Sequence, residues 1–485
     1  MPTSRWPDRP LPRVIQGGMG VAVSSWRLAS EVARAGGLGV VSATALDLVL
    51  VRRLADGDPD GAMRRAMAAF PYRGAAQEAL DAYFVPGGRA PGQPYPRAPK
   101  ASMRPSAEDQ RLAVLASFAE VWLAKEGHDG LVGANYLEKI QMATPAAVYG
   151  AMLAGVDVVL VGAGIPRAIP RLLDDLATHH RAELPVDVLG SSELHQVRLD
   201  ATELFDDAPV PVRRPALVAI VSADILAAHL AKDEATRPDG FVVEGPTAGG
   251  HNAPPRGKPV FDEIGQPVFG TRDDADLARV AAAGLPFWLA GGRGTPDALG
   301  AALAAGASGV QVGTAFALST DSGLAPHLRA EVVDRLRAGT LEVRTDAYVS
   351  PTGFPFKVAQ VPGTLSDPDV AAARRRRPCD LGYLRRPYQR PTGTVGYQCP
   401  AEPVDVFVRK GGTEEGAAGR GCLCNSLLAT VGLGQVLDDG TVEPPIVTLG
   451  TDLDAARRLA ELHPDGWSAR DVLAWLLAPV PVQAG

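Results

Sequence analysis

Long unbroken hydrophobic runs are missing from this chain. Its apolar stretches are broken by charge within about a dozen residues, as at Asp224 after Pro215, short of the roughly 20 that a membrane-spanning helix needs. The first ten residues, Met-Pro-Thr-Ser-Arg-Trp-Pro-Asp-Arg-Pro, lack the apolar core of a secretory signal. A soluble, cytoplasmic protein with no membrane partner is expected. Cysteine is scarce too: four in 485 residues make no disulfide scaffold. There is no excess of positive charge, since the formal net charge is −7, so nothing favours nucleic acid as a partner. The one basic run, Arg374–Arg377, reads as a solvated face. Aromatic residues are only 6% of the chain, which leaves Ala, Leu, Val and Gly to pack closely spaced helices and strands.

What is present is a core's worth of apolar residues, 46% of the chain, arranged in a repeating pattern. Pro12 to Gly20 reads as a short strand ending in a glycine turn. A helical pattern through Trp26, Leu28, Ala29, Val32 and Ala33 follows, closed by Gly36-Gly37. The next strand runs from Leu38 to Val41. Further strand candidates are Leu131–Asn135, Val156–Val161, Leu217–Val221, Phe241–Val243, Pro286–Gly292 and Gly309–Thr314, most of them separated by helical patterns. Eight strands with glycine or polar residues at their C-terminal ends argue for a (β/α)8 TIM barrel in the α/β class. A doubly wound open sheet is the competing architecture, but its glycine turns would gather at one switch point instead of being spread over most strand ends.

Two parts fall outside the repeat. Residues from about 70 to 115 form an insertion after the second strand, read as a partly helical excursion that is either a lid or a surface ornament. The tail beyond about 365 holds a Pro/Gly/Arg-rich region and ends in two short amphipathic helices between Leu453 and Leu477. The expected organisation is a barrel over 1–365 and a Cys-containing extension, 366–485, packed on it.

The stretch Glu244-Gly-Pro-Thr-Ala-Gly-Gly-His251-Asn follows the sixth strand. Residues that do chemistry sit on such loops because the strand fixes them while the loop exposes them. Gly249 and Gly250 let backbone amides approach a flat or charged ligand, and His251 offers a proton donor or acceptor near neutral pH. Two more glycine turns, Ala290-Gly-Gly-Arg-Gly-Thr and Gly309-Val-Gln-Val-Gly-Thr, stand where barrels commonly hold phosphate, after strands seven and eight. The backbone at Gly291, Gly292, Gly313 and Thr314 suits a phosphate dianion. Gly18, Met19 and Asn135 end strands one and three and face the same mouth if the barrel is right.

These motifs together (Gln-Gly-Gly-Met, Ala-Gly-Gly-His, Ala-Gly-Gly-x-Gly-Thr and Gly-Val-Gln-Val-Gly-Thr-Ala-Phe) resemble the nitronate monooxygenase, or 2-nitropropane dioxygenase, family, to which the flavin-dependent enoyl-acyl-carrier-protein reductases are similar. The resemblance spans roughly residues 12 to 360. It implies an FMN-binding barrel in which His251 transfers the proton and the flavin phosphate falls on Gly291, Gly292, Gly313 and Thr314. The flavin ring region falls on Gly18, Met19, Asn135, Glu244, Ala248 and Gly249, beside Gly250. Thr247 stands where the family usually has an acidic residue. Ser350-Pro-Thr-Gly-Phe-Pro resembles the Ser-Pro-x-Gly-x-Pro of some bacterial relatives.

The expected function is an FMN-dependent oxidoreductase that oxidises a small nitronate or similar carbon acid, with His251 as base. One alternative keeps FMN and has NAD(P)H reduce it for an enoyl or quinone acceptor. A second is a phosphate-binding barrel without redox chemistry whose tail mediates interactions. Partners are therefore a small-molecule substrate, with NAD(P)H and a homo-oligomer left open. Cys379, Cys399, Cys422 and Cys424 all fall in the last quarter of the chain, but their spacing fits no standard metal knuckle. They read as buried reduced thiols, with a four-thiolate zinc or iron–sulfur site as the alternative, and no metal site is assigned.

Overall fold

The computed structural model describes residues 6–374, 377 and 379–478. Its central sheet has eight parallel strands: β1 (Val14–Gln16), β2 (Gly39–Ser42), β3 (Val132–Leu137), β4 (Val158–Gly162), β5 (Ala216–Val221), β6 (Gly240–Glu244), β7 (Phe287–Ala290) and β8 (Gly309–Val312). Each pairs with its neighbour in chain order, and β8 pairs with β1. The remaining gap, between β1 and β2, is bridged when Leu38 N donates to Val14 O and Gln16 N donates to Leu38 O, both at 3.0 Å. The protein is a (β/α)8 barrel.

Strand parity decides what the barrel holds, because successive side chains point to opposite faces. The inner core comprises Ile15, Val40, Leu160, Val218, Val242 and Trp288 with their layer neighbours. Trp6 covers one end of it, its ring centroid 5.4 Å from that of Trp288. One step along each strand from these residues, toward the C-terminal mouth, stand Ser42, Asn135, Gly162, Ile220, Glu244, Ala290 and Gln311. The alternate residues, such as Val159, Leu217, Phe241 and Val310, face outward into the helical shell.

The helices form where the pattern predicts them. Thr295 caps the helix Pro296–Ala304, its hydroxyl accepting Ala298 N at 3.2 Å. The insertion after β2 is helical, with Ala62–Ala69, Arg73–Tyr83 and the capped helix Ala107–Lys125 packed on the barrel flank. Its connecting loop grips the tail: Tyr95 N donates to Gln435 Oε1 at 2.7 Å and Gln435 Nε2 returns a bond to Tyr95 O at 3.1 Å.

Three antiparallel hairpins were not signalled by the apolar pattern: Ala182–Val186 with His195–Leu199, Val343–Asp346 with Phe356–Ala359, and Arg386–Gln389 with Val395–Gln398. Their strands are short and rich in Pro, Arg and Gln, which hides the period of two. The basic run also departs from expectation. Arg374 is buried and lies 2.5 Å from the equally buried Glu443, which Arg377 contacts as well. Arg375 and Arg376 lie outside the described residues.

The tail does more than rest on the barrel. Its two final helices are Asp454–Leu462 and Ala469–Leu476. The second packs against both Trp26–Arg34, the helix after β1, and Pro296–Ala304, the helix after β7. It therefore fills the outer-ring position that belongs to the eighth helix of a barrel, and Arg470 Nε reaches Glu31 Oε2 at 2.9 Å. Trp467, buried, anchors it by donating Nε1–H to Ala315 O at 2.8 Å.

Candidate active site

A trough runs across the C-terminal mouth. It consists of two adjoining cavities that share Gly18, Gly20, Glu244, Gly249, Gly250, Gln311 and Thr448. Gly18, Met19, Glu244, Ala248, Gly249, Gly250, Gly291, Gly292, Gly313 and Thr314 line the first cavity, and Asn135 and His251 line the second. All the residues singled out from sequence thus meet along one trough.

At the first end the backbone is shaped for close approach. Gly291 and Gly292 adopt φ of +86° and +63°, where other residues are strained. A Cβ on Gly292 would stand 2.7 Å from Asp452 Oδ2, and one on Gly291 would stand 3.0 Å from Thr247 Oγ1. Thr247 therefore packs under the glycine turn, where a longer acidic side chain has less room. Across the trough, a Cβ on Gly18 would lie 2.3 Å from Asn135 Cβ. The loop carrying Gly18 is held from below: Ser24 Oγ accepts Met19 N at 2.9 Å and Gln16 Nε2 at 2.8 Å.

The tail supplies part of this wall. Residues Thr448 to Gly450 thread between the loop after β6 and the loop after β8. Gly250 N donates to Thr448 Oγ1, and Gly450 N to Thr314 Oγ1, each at 2.9 Å. Thr451 N donates to Thr247 O at 3.0 Å. Neither Thr448 nor Asp452 could be found by periodicity, since an irregular segment placed them.

At the second end stands His251. Gly250, at φ +78°, turns the chain so that residues 250–252 pair with the strand Phe356–Ala359. Lys357 N donates to Gly250 O and Asn252 N to Pro355 O, both at 2.9 Å. The imidazole meets the Phe356 ring edge-on, with centroids 4.8 Å apart. Its Nε2 lies 2.6 Å from Ser350 Oγ. Ser350 is fully buried and bonds Thr352 Oγ1 at 2.8 Å, while Arg420 NH1 donates to Ser350 O at 2.7 Å. Burial pushes the His251 pKa down to about 4, so the ring is neutral at physiological pH.

Glu244 occupies the floor between the two cavities. Burial raises its carboxyl to about 8, with the charge of Lys357 opposing. Lys357 is lowered to about 8, again by burial, with Glu244 opposing. Its ammonium donates to Thr345 Oγ1 at 2.5 Å. Burial thus favours the protonated form of the Glu244 carboxyl at neutral pH. Gln311 was missed from the sequence. It lines both cavities, and its Oε1 is buried with no partner. Parity alone could have found it, as a polar residue at an inward position of Gly309-Val-Gln-Val.

The cysteines converge at the rim of the second cavity, which Cys424 lines. Asn425 Nδ2 spans Asp380 Oδ1 at 2.6 Å and Cys422 Sγ at 3.8 Å, joining the segment of Cys379 to that of Cys422. All four thiols are free, and burial raises each of them, Cys379 to about 11, which keeps them protonated. Among the described residues no three His, Cys, Asp or Glu side chains are arranged to hold a metal ion. No helix of the described residues is long and apolar enough to cross a membrane.

Residues 211–347, which carry β5 to β8 and His251, match the sequence model of the nitronate monooxygenase family. The chain is an FMN-dependent oxidoreductase. The resemblance carried by the glycine motifs is borne out over that stretch. No curated protein matches the chain. Among solved structures, FabK from Thermotoga maritima is 16% identical, with 96% of this chain and 91% of that one covered, at a TM-score of 0.47. A nitroalkane oxidase from Streptomyces ansochromogenes is 18% identical over 96% and 94%, at 0.44. The enoyl reductase domain of MlnA from Bacillus amyloliquefaciens is 12% identical over 75% and 68%, at 0.38.

Proposed function

We propose that the protein oxidises a small nitronate or the carbon acid that yields it, with His251 as the proton-transferring base. The observation that carries this reading is the placement of a neutral, Ser350-bonded imidazole on the wall of the same trough whose other end is a glycine cradle.

The residues fit FMN. Gly291, Gly292, Gly313 and Thr314 line one end of the trough, where positive-φ glycines at 291 and 292 bring bare backbone to the wall, suited to a phosphate at a barrel's seventh and eighth strand ends. Gln311, with an unpartnered buried carbonyl, stands between that end and the His251 chamber, where a ribityl hydroxyl or ring N–H would satisfy it. Gly18, Met19, Asn135, Glu244 and the 248–250 loop would border the ring. When bound, FMN supplies the two-electron acceptor that no side chain here can replace.

The chain's own residues do the rest. An α-proton of a nitroalkane is acidic enough for a neutral imidazole to remove, and His251 is neutral above about pH 4. Ser350 Oγ accepts the Nε2–H of the neutral ring, which fixes its orientation and the tautomer whose Nδ1 lone pair takes the proton. A protonated Glu244 adds no negative charge to the floor of the trough beside an anionic substrate. The apolar wall of Val21, Ile220, Phe356 and Leu427 excludes water from the reacting carbon.

The test is oxygen uptake by the yellow holoenzyme on nitroethane and 1-nitropropane, which need a base, and on their nitronates, which do not, beside anaerobic mixing with NADH and NADPH. Nitronate-dependent uptake with no bleaching by the nicotinamides is expected. Rapid bleaching without nitronate turnover would move the protein to the NAD(P)H-dependent reductases.

A further inference from the structure

We propose that Cys379, Cys399, Cys422 and Cys424 together hold an iron–sulfur cluster of the four-iron, four-sulfide class, set beside the wall of the His251 cavity. The proposal concerns the tail and does not depend on which substrate the flavin oxidises.

The first observation is convergence. Three separate segments of the tail carry the four cysteines, yet each sulfur stands near enough to the other three for their charges to interact. Asn425 fastens two of these segments together, its Nδ2 donating to Asp380 Oδ1 at 2.6 Å and lying 3.8 Å from Cys422 Sγ. Lys100, from the insertion, holds the Cys379 carbonyl oxygen at 3.0 Å. These are all the cysteines the chain has, so no thiol is left over. Residues used only as small apolar filler have no reason to gather at one place to the last copy.

The second observation is the backbone around the sulfurs. An N–H faces each of them: that of Gly382 at Cys379, Ala401 at Cys399, Asn425 at Cys422 and Leu384 at Cys424. Gly382, at φ +82°, makes the turn that places the first of these. Amide protons aimed at sulfur favour the thiolate and tune a cluster held by it. Burial keeps the free thiols protonated, but a metal deprotonates the thiol that ligates it. Arg374 and Arg385 lie within charge range of Cys422 and Cys379 and offset the anion that ligation creates.

The third observation is spacing. A single zinc ion draws its four sulfurs to about 2.3 Å from one centre. Among the described residues no three candidate ligands close in that way. A four-iron cluster bonds each cysteine to a different iron, which spreads the sulfurs over a wider tetrahedron. Four sulfurs that neighbour one another without closing on one ion match the wider figure. Cys399 is buried and the other three are half-buried, which leaves iron and sulfide a way in. Cys424 lines the His251 cavity, as do Tyr383 and Leu384 from the segment that follows Cys379. The cluster and the flavin ring region would therefore share a wall.

The test uses the whole protein purified without oxygen, with iron, zinc and acid-labile sulfide measured per chain and EPR recorded at low temperature after dithionite reduction. About four irons and four sulfides per chain are expected, with a paramagnetic signal distinct from that of a flavin radical. Cys399→Ala should lose most of the iron and sulfide and keep its FMN. If that variant does not fold, wild-type protein stripped by a chelator and given ferrous iron, sulfide and a reducing thiol should regain about four irons. One zinc per chain without sulfide would overturn the cluster. So would a disulfide among the four cysteines, found by thiol titration of the unfolded protein, or four free thiols that take up no iron. Nitroalkane turnover on the same samples separates the two ideas: lost turnover with iron and sulfide present rejects the nitronate reading and not the cluster.

Discussion

His251 Nε2 and Ser350 Oγ lie 2.6 Å apart, although 99 positions separate them in the chain. The contact makes the base a product of two loops, one after β6 and one ahead of the strand Phe356–Ala359, which the pairing of residues 250–252 with residues 355–357 holds in register.

Replacing His251 by Ala should leave flavin content unchanged and lower turnover by about 10² to 10⁴, the usual worth of a positioned general base. Flavin absorbance per chain and oxygen uptake check the two halves. Unchanged uptake would place the base elsewhere.

Ser350→Ala should lower kcat by about tenfold with little change in flavin content, because the ring keeps its place against Phe356 but loses its hydrogen-bonding partner. It should also move the acid limb of the kcat/KM profile. Ser350→Thr, which restores a hydroxyl, should recover part of both.

The pH profile of kcat/KM should keep its acid limb near 4, not 6.5, since activity needs the neutral imidazole and falls as pH drops through its folded-state value. The same shift makes the fold lose stability between about 6.5 and 4, where the unfolded chain takes up the proton and the folded chain does not. An alkaline limb near 8 is expected as Glu244 gives up its proton. Glu244→Gln should remove that limb. If the limb persists in the variant, Lys357 is its source.

Gly292→Ala should weaken FMN binding at least tenfold, since the methyl group meets Asp452 Oδ2 and the residue keeps φ +63°. Flavin released on dilution gives the affinity, and circular dichroism should show the fold retained.

Trp467→Ala should cost about 3–5 kcal/mol of stability, the range for truncating a buried aromatic. Denaturant unfolding measures it, and Trp467→Phe should lose less.

The sequence made the barrel legible because a buried parallel strand is an unbroken apolar run, and β4 to β7 are such runs, each ending in or followed by glycine or a polar residue. The mouth residues His251, Glu244, Gly291 and Gly313 were legible for the same reason: they stand within a few positions of those strand ends. Gln311 was within reach through parity and went unread. Thr448, Gly450 and Tyr383 were not legible, because an irregular chain segment carries no period to report where it lies, and its partners are far away in sequence. The final helix was readable as an amphipathic helix, but its place between the first and seventh helices depends on a groove that exists only once the barrel has formed.

That last helix bears on how the chain reaches its folded state. The seam between β1 and β2 hangs on Leu38, and the element that clamps it from outside does so through Arg470 and Glu31, which lie 439 positions apart in the chain. Contacts of this sequence separation form slowly. Until the final helix docks, the helix after β1 keeps an uncovered apolar flank, a kind of surface that favours aggregation during folding. Removing Trp467 and the helix that follows it should therefore uncover the groove between the first and seventh helices and favour aggregation.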